Sequence, residues 1–485
     1  MKNILKYSIL TLCSVLFVSC HGDLDVKQKD GINTGNAWES EDDAIAAMYG
    51  TVSTFRGAFM NNYVRWGEFR SNLWTEGIES KKDDINIFNN TISASHPATS
   101  WNKIYTTINS CNLILKYVPS IRFQTEKNRN KVLGNAYYIR AFCYYWVARI
   151  WGDAPLLLNG FESDHQDDLY PERSAVSLIY DQIEQDLILA QENLKEVSAP
   201  ANIANYEAAS TLATDFYLWK YKVLKDASAL QKARAACDQV LGRKGLLPRF
   251  ADVFHPENEL NNEIIFAWSL VSDECVGGYA SDWLVPIQYV SPVYIENPVK
   301  IGSHQQWSFI GDEYKALLSE VANDARKDVT YQTFYDDGQH ATVQWINKFH
   351  GTWVNDARIF NSDIVVYRYA DVLLFDAEIN NAMNHKDEAI VSLNQIAQRA
   401  YNVGNYYASS LSKEQVDAAI LKERLKEFVG EGKAWWDFIR FGVVFDRVSG
   451  LNGLSKSKNI LLWPVNQNSL NKNPNLKQTE FDITY

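Results

Sequence analysis

The chain has 485 residues, of which 46% are hydrophobic and 13% aromatic, and its formal net charge is −12 at pH 7. This hydrophobic fraction supports a large buried core and excludes a mainly disordered protein. The acidic balance predicts no nucleic-acid partner, because a negative surface repels the phosphate backbone. The 15 Trp and 26 Tyr residues exceed what a core needs, and such a surplus is typical of interfaces and ligand grooves.

The N-terminus is typical of a bacterial secretory leader. Two lysines come first, and the apolar run that follows is too short to span a bilayer. The run ends at Ser19-Cys20, which resembles a lipoprotein box, in which the cysteine becomes the lipidated N-terminus. We predict a leader over 1–19, lipidation at Cys20 and a flexible polar tether over 20–35. An ordinary leader with an incidental cysteine is the alternative.

Helical periodicity dominates the region 36–244. The predicted helices cover 40–55, 100–118, 128–152, 174–199, 206–224 and 229–241. Ser100 and Ser174 are predicted N-caps, and Gly152 is predicted to end the third helix with a left-handed backbone. That helix is apolar or aromatic nearly all round, so we expect it to be buried between neighbours. These helices form pairs joined by short links, and the pairs recur about every 30 to 40 residues along the chain, as in tetratricopeptide repeats.

Two regions lack this periodicity and are rich in Gly, Pro, Asn and aromatic residues. The first, over 65–97, is predicted to be a long loop, and such loops inside a compact body are often functional. The second, over 245–361, is predicted to be a loop-rich insertion with short strands at Ile264–Trp268 and Val343–Lys348. Helices return over 362–445.

The last helical stretch and the C-terminus have their own signals. Ser412 and Gln415 form a predicted capping box, and residues 446–485 form a predicted extended polar tail. Gly430-Glu431-Gly432 resembles a phosphate loop faintly, but it lacks the other residues of that motif and is predicted to be a tight corner between helices.

Four sequence blocks occur in order along the chain. They are RAFCYYWVARIWGDAPLLL, VVYRYADVLLFDAEINN, ILKERLKEFVGEGKAWWDFIRFG and LLWPVNQNSLNKNPNLKQ. Together with the leader, this ordered set resembles the SusD/RagB family of outer-membrane nutrient-binding lipoproteins. These blocks are packing elements in the family, so Trp435 and Trp436 are predicted to lie in the core. The resemblance implies a mainly α protein with four tetratricopeptide-like helix pairs and a loop-rich insertion, in a single domain over 36–485.

The resemblance also implies a function. Proteins of this family sit in the outer membrane through a lipid anchor, face the cell exterior, capture glycan or peptide, and lie as a lid over a TonB-dependent transporter of the SusC type. No GxSxG, HExxH or complete P-loop motif occurs, and no pair of histidines has metal-ligand spacing. We therefore predict that the protein is not an enzyme and that it binds no metal ion and no cofactor. A carboxylate pair for glycoside hydrolysis stays open from the sequence alone, although the resemblance argues against it.

A sugar-binding site needs aromatic rings for the apolar faces of pyranoses and polar side chains for their hydroxyls. Both loop regions have this mixture. The candidate ligand-binding residues are Arg70, Asn72, Trp74, Tyr279, Trp283, Tyr289 and Trp307. For each aromatic residue, the alternative is that it anchors its loop in the core.

The function predicted from these observations is a non-catalytic, cell-surface glycan-binding lipoprotein that delivers oligosaccharide to a SusC-like transporter. The alternative is a peptide-capturing, RagB-like lipoprotein with the same lid role. A surface glycosidase and a scaffold whose aromatic loops only grip the transporter are two further hypotheses.

Overall fold

The structure is a computed structural model that describes residues 37–166, 169–302, 305–457 and 459–481. The predicted leader, tether and lipidation site at Cys20 lie outside the described residues. Within them, helices predominate and strands are few and short.

The described residues form 17 α-helices. They are α1 (Glu41–Phe59), α2 (Tyr63–Gly67), α3 (Lys82–Phe88), α4 (Asn102–Tyr117), α5 (Glu126–Trp151), α6 (Val176–Leu194), α7 (Tyr206–Lys222), α8 (Ala229–Asp238), α9 (Phe250–Val253), α10 (Asp312–Ser319), α11 (Lys327–Thr330), α12 (Tyr369–Ala382), α13 (Lys386–Tyr401), α14 (Lys413–Glu427), α15 (Ala434–Arg440), α16 (Val444–Arg447) and α17 (Gln467–Lys472). From α4 to α8 each helix packs on the next, and α12, α13 and α14 pack on one another.

Eight short strands pair antiparallel in four two-stranded ladders within the described part. They are β1 (Trp74–Glu76), β2 (Ile264–Trp268), β3 (Ser308–Ile310), β4 (Tyr331–Asp336), β5 (Ala341–Ile346), β6 (Thr352–Val354), β7 (Ala357–Ile359) and β8 (Ile364–Arg368). The pairs are β1 with β3, β2 with β8, β4 with β5, and β6 with β7. The predicted fold class is confirmed: a mainly α, tetratricopeptide-like helical body with a loop-rich insertion that carries short strands.

Helix α5 is the centre of the first half of the body. The side chain of Thr125 caps its first turn by accepting from the backbone N–H of Asn128, and Gly152 ends it at φ 70°. From Val132 onward almost every side chain is buried, because α5 packs against α1 and α4 as well as against α6. The prediction of a helix that is buried nearly all round is therefore confirmed.

A buried ion pair joins α5 to α6. Arg140 donates from Nε and Nη2 to the two carboxylate oxygens of Asp186 at 2.8 and 2.7 Å, and from Nη1 to Oδ1 of Asn112 on α4 at 2.8 Å. A bidentate pair fixes orientation as well as distance. One arginine therefore sets the relative position of three helices.

The main hydrophobic core of the described residues takes side chains from Ala44 to Val465, and two smaller clusters lie apart from it, one around Val285 and Trp345 in the insertion and one around Ala397. The main core includes side chains of the helices of both halves, of β2 and of the C-terminal segment. The extent of the main core supports our proposal that residues 36–485 form one domain, since a single domain commonly has one contiguous core and small satellite clusters under its long loops.

Several local predictions were wrong, and in every case except that of Ser100 contacts distant in sequence decided the outcome. Ser100 and Ser174 do not cap: α4 has no side-chain cap, and the first N–H of α6 donates instead to Oδ1 of Asp153 at 2.8 Å. The region predicted as a loop over 65–97 contains α3 and β1. The C-terminal segment over 446–485 is not simply extended, because it contains the end of α16 and all of α17 and buries Trp463, whose backbone N–H donates to the carbonyl of Ile150 in α5.

The side-chain cap of α5 can be tested with two substitutions at Thr125. Thr125→Ala removes the acceptor for the N–H of Asn128, and we expect the free energy of unfolding to fall by about 1 kcal/mol. Thr125→Ser keeps the hydroxyl and is expected to match the parent protein. Urea denaturation followed by circular dichroism measures both variants. Equal loss in the two variants would contradict a capping role.

Candidate functional site

The two loop regions singled out in the sequence meet side by side. β1 pairs with β3, so that Trp74 lies opposite Ile310. Beyond the ladder, the backbone N–H of Gly77 donates to the carbonyl of Trp307 at 3.3 Å, and Oγ of Ser80 donates to the same carbonyl at 2.9 Å. The loop after β1 therefore lies directly against the segment before β3. We call this contact the loop junction; it consists of the exposed Lys81 and Tyr289, the half-buried Arg65, Glu79, Asp282 and Trp307, and the buried Asp84.

Trp307 is the aromatic centre of the loop junction. All 15 tryptophans lie in the described residues, and 12 of them are buried. The other three, Trp38, Trp307 and Trp353, are half-buried. The Nζ atom of Lys81 lies 4.4 Å from the centroid of the Trp307 ring, and the guanidinium carbon of Arg65 lies at 6.0 Å.

Charged and hydroxyl groups surround this ring. Arg65 donates from Nε to Asp84 at 2.7 Å, and its Nη2 lies 3.6 Å from Asp282. Burial raises the pKa of Asp282 to about 6, although Arg65 acts against this rise. Tyr289 is 38% exposed, and its hydroxyl donates to Glu79 at 2.8 Å. The loop junction thus combines an accessible ring with hydrogen-bonding groups of both signs.

A second layer of aromatic side chains lies beneath this surface. The ring centroids of Trp74 and Trp283 are 4.9 Å apart, and those of Trp283 and Tyr279 are 4.6 Å apart. All three side chains are buried. The Nε1 atom of Trp283 donates to Oγ of Ser308 at 3.0 Å. The prediction that these three residues contact a ligand is corrected, because their rings support the surface and have no access to it.

Arg70 and Asn72 also differ from the prediction. Arg70 is buried and donates to Asn90 and to the carbonyls of Ile460 and Leu461, at 2.6 to 2.9 Å. It therefore holds the C-terminal segment and cannot meet a ligand. Asn72 is exposed, but it precedes β1, whereas Trp307 lies beyond the other end of that ladder, and its amide donates to Ser449 at 2.8 Å.

Two of the seven predicted residues, Tyr289 and Trp307, therefore lie together at the loop junction. Their contact with a ligand stays a prediction. Arg65, Glu79 and Lys81 lie at the same junction but were not among the predicted residues. A signal for the last two was present, since the charged run Glu79-Ser80-Lys81-Lys82-Asp83-Asp84 stands within the first loop region. The sequence could not show which of these charges lies near an aromatic ring, because Ser80 contacts Trp307 from about 200 residues away along the chain.

The glycine corner between α14 and α15 supports the same layer. Gly430 and Gly432 have φ of 76° and 73°, and their backbone N–H groups donate to the buried carboxylate of Glu68 at 3.2 and 2.6 Å. Trp74 donates to it from Nε1 at 2.7 Å. Burial raises the pKa of Glu68 to about 7, although these donors act to lower it. The corner binds a carboxylate of its own chain, which agrees with the prediction that it is no phosphate loop.

Trp74→Phe tests the supporting role of this layer. The variant keeps an aromatic ring but loses the hydrogen bond to buried Glu68, and we expect the free energy of unfolding to fall by about 1.5–3 kcal/mol. The matched control is Trp151→Phe, because the Nε1 of buried Trp151 has no hydrogen-bond partner among the described residues. Urea denaturation should show the smaller loss in the control. An equal loss in both variants would contradict the role of the hydrogen bond.

A cavity of about 430 Å³ lies elsewhere, between α4, the segment after α5 and α17. Its floor is apolar, and its central amides are already engaged. Asn109 both donates to and accepts from the backbone of Phe161, and Asn112 donates to the carbonyl of Leu157 at 2.9 Å. These amides hold the chain segment in place, so the loop junction is the better candidate for ligand binding.

The described residues contain no group of three or more His, Cys, Asp or Glu side chains placed to hold a metal ion. Over the same ranges, no helix is both long and apolar enough to cross a membrane.

Comparisons with known proteins agree with this architecture. A family profile described as starch-binding and associating with the outer membrane matches residues 43–218, and the SusD family profile matches residues 320–460. The SusD-like protein P38 of Formosa agariphila is 25% identical to this chain, over 98% of each. A solved SusD superfamily structure from Bacteroides vulgatus has a TM-score of 0.78 at 25% identity and covers 91% of this chain and 99% of that one.

A further solved structure, NanU of Bacteroides fragilis, has a TM-score of 0.77 at 24% identity and covers 94% of this chain and all of that one. At 24% identity this structural similarity shows the fold alone. The family assignment rests instead on the two family profiles and on the SusD-like protein P38, which aligns over nearly the full length of this chain. The chain belongs to the SusD/RagB family of outer-membrane-associated proteins, which are generally non-catalytic and bind glycans at the cell surface during nutrient uptake.

Proposed function

We propose that this protein is a non-catalytic, cell-surface lipoprotein, anchored in the outer membrane through Cys20, that captures an oligosaccharide at the loop junction and delivers it to a SusC-like TonB-dependent transporter. Family membership supports the surface role and the transporter partnership. The observation that carries the oligosaccharide assignment is the placement of Trp307.

Trp307 suits a pyranose ring for a physical reason. A pyranose ring has an apolar face of C–H groups that packs on an aromatic ring, and its hydroxyls need donors and acceptors at the rim of that ring. Twelve of the 15 tryptophans are buried, whereas Trp307 is partly accessible and has Lys81 and Arg65 within 6.0 Å of its ring centroid. Tyr289 and Glu79 add a hydroxyl and a carboxylate to the same surface.

Binding calorimetry tests the capture step. The full chain with Cys20→Ser is titrated with a panel of neutral and acidic oligosaccharides and, in parallel, with a panel of extended peptides. We expect saturable binding of at least one oligosaccharide and none of the peptides. Binding of peptides alone would replace the proposal with the RagB-like alternative. Release of shorter products from any bound glycan would contradict the non-catalytic assignment.

Fractionation tests the anchor and the partner. In the native host, the protein is expected in the outer-membrane fraction and in a detergent-stable complex with a TonB-dependent transporter. Cys20→Ser is expected to release it from the membrane fraction of cells that lack the transporter. Retention of this variant in such cells would contradict the lipid anchor, and purification of the parent protein without a transporter would contradict the partnership.

A further inference from the structure

Lys81 is a cation without an ion-pair partner at the loop junction. Its side chain is exposed, and among the described residues no carboxylate oxygen lies within 4.0 Å of its Nζ atom. The neighbouring carboxylates are engaged elsewhere. Asp84 and Asp282 face Arg65, and Glu79 accepts from the hydroxyl of Tyr289. Lys81 acts on Asp282 only from beyond ion-pair distance, where its charge lowers the pKa of that carboxyl.

The contact that Lys81 does make is with the ring of Trp307, 4.4 Å from Nζ to the centroid. A cation–π contact at an exposed site is weak, whereas a charge-assisted hydrogen bond to an anion is among the stronger polar contacts in proteins. An anion placed beside Trp307 therefore draws the ammonium from the ring face to itself. The same movement frees that face of the ring for stacking.

We propose that the oligosaccharide bound at the loop junction is acidic, with a ring carboxylate that pairs with Lys81 while the pyranose that bears it stacks on Trp307. This inference rests on the proposed function and names its ligand class. In a uronic acid the carboxylate is attached directly to the ring carbon, so it projects from the edge of a stacked pyranose.

The net charge of −12 does not oppose this assignment at close range. Salt screens charges over about 8 Å at physiological ionic strength, so a bound carboxylate responds chiefly to the groups of the loop junction. There, the two cations and three carboxylates sum to −1; Arg65 pairs with Asp84 at 2.7 Å and faces Asp282 at 3.6 Å. Lys81 is the cation of the junction that forms no ion pair with a described residue, and it can pair with an added carboxylate. The overall charge affects only the approach of the ligand, which is slowed at low salt.

The test uses matched acidic and neutral forms of the same sugar. Oligogalacturonate and oligomannuronate are each titrated into the full chain with Cys20→Ser, as the free acid and as the carboxyl methyl ester. We expect the free acid of one of them to bind at least tenfold more tightly than its ester, and the preference to weaken as salt is raised. Lys81→Met is expected to abolish the preference, so that the free acid and the ester bind this variant with affinities within twofold of each other.

Lys82→Met is the matched control, because Lys82 is also exposed and forms no ion pair with a described residue. It is expected to keep the preference for the free acid. Equal affinity for acid and ester, a preference that survives Lys81→Met, or binding of neither acidic sugar would each overturn the inference. If the inference is overturned but a neutral oligosaccharide from the wider panel binds, the proposed function stands. If no glycan binds, the inference and the proposed function both fail.

Discussion

Arg368→Met is expected to lower the free energy of unfolding by about 3–5 kcal/mol at pH 7. The guanidinium of Arg368 is fully buried and donates to Glu263 at 2.9 Å, to Glu427 at 2.6 Å and to Glu431 at 2.9 Å. Methionine fills much of the same volume but leaves the three carboxylates with fewer cations to pair with. Buried charge that loses its partner is among the most destabilising changes in proteins.

The loss should depend on pH in a defined direction. Burial raises the pKa of Glu431, but Arg368, Lys348 and Lys433 outweigh it and hold the pKa at about 2. Because a glutamate in the unfolded chain titrates near 4.3, this group stabilises the fold above that pH, and the stabilisation is lost as pH falls towards 2. The difference between the parent protein and Arg368→Met should therefore shrink between about pH 4.5 and pH 2.

Urea denaturation at a series of pH values measures both effects. The matched control is Arg249→Met, because the side chain of Arg249 is 77% exposed although it also pairs with an aspartate. This control is expected to change the free energy of unfolding by less than about 0.5 kcal/mol. A loss below about 1 kcal/mol in Arg368→Met would show that Arg399 and Lys348, which contact the same carboxylates, compensate for the missing arginine.

Trp307→Ala is expected to weaken the binding of the captured oligosaccharide about 30-fold or more. A tryptophan at the centre of a binding surface commonly contributes about 2 kcal/mol or more when truncated, and 1.4 kcal/mol corresponds to tenfold in affinity. The ring is half-buried and lies above the buried layer of Trp74 and Trp283. We therefore expect its removal to affect affinity much more than the melting temperature.

The matched control for this prediction is Trp38→Ala. Trp38 is also half-buried, and its ring stacks on Tyr117 with centroids 5.2 Å apart, next to α4 and away from the loop junction. Calorimetry with the same ligand should give an affinity within twofold of the parent protein. Unchanged affinity in Trp307→Ala, or an equal loss in both variants, would remove Trp307 from the binding surface.

The helices could be predicted from the sequence because their signals are local. In α5, the run of apolar and aromatic residues and the glycine at 152 lie within the helix or next to it, and the structure matches them. The capping box of Ser412 and Gln415 spans one turn and is also present. The cap of α6 could not be predicted, because its acceptor, Asp153, is 23 residues away from the N–H that it satisfies.

The sequence by itself determined the mainly α body, the positions of the two regions rich in aromatic and polar residues, and the family motifs of the packing blocks. It could not separate Trp307 from Trp74 and Trp283, because all three stand in similar polar and aromatic surroundings along the chain. Only the pairing of β1 with β3 decided that Trp74 and Trp283 lie underneath and that Trp307 lies beside Lys81. Exposure of a side chain depends on what packs over it, and in this surface the packing partners come from segments more than 200 residues apart.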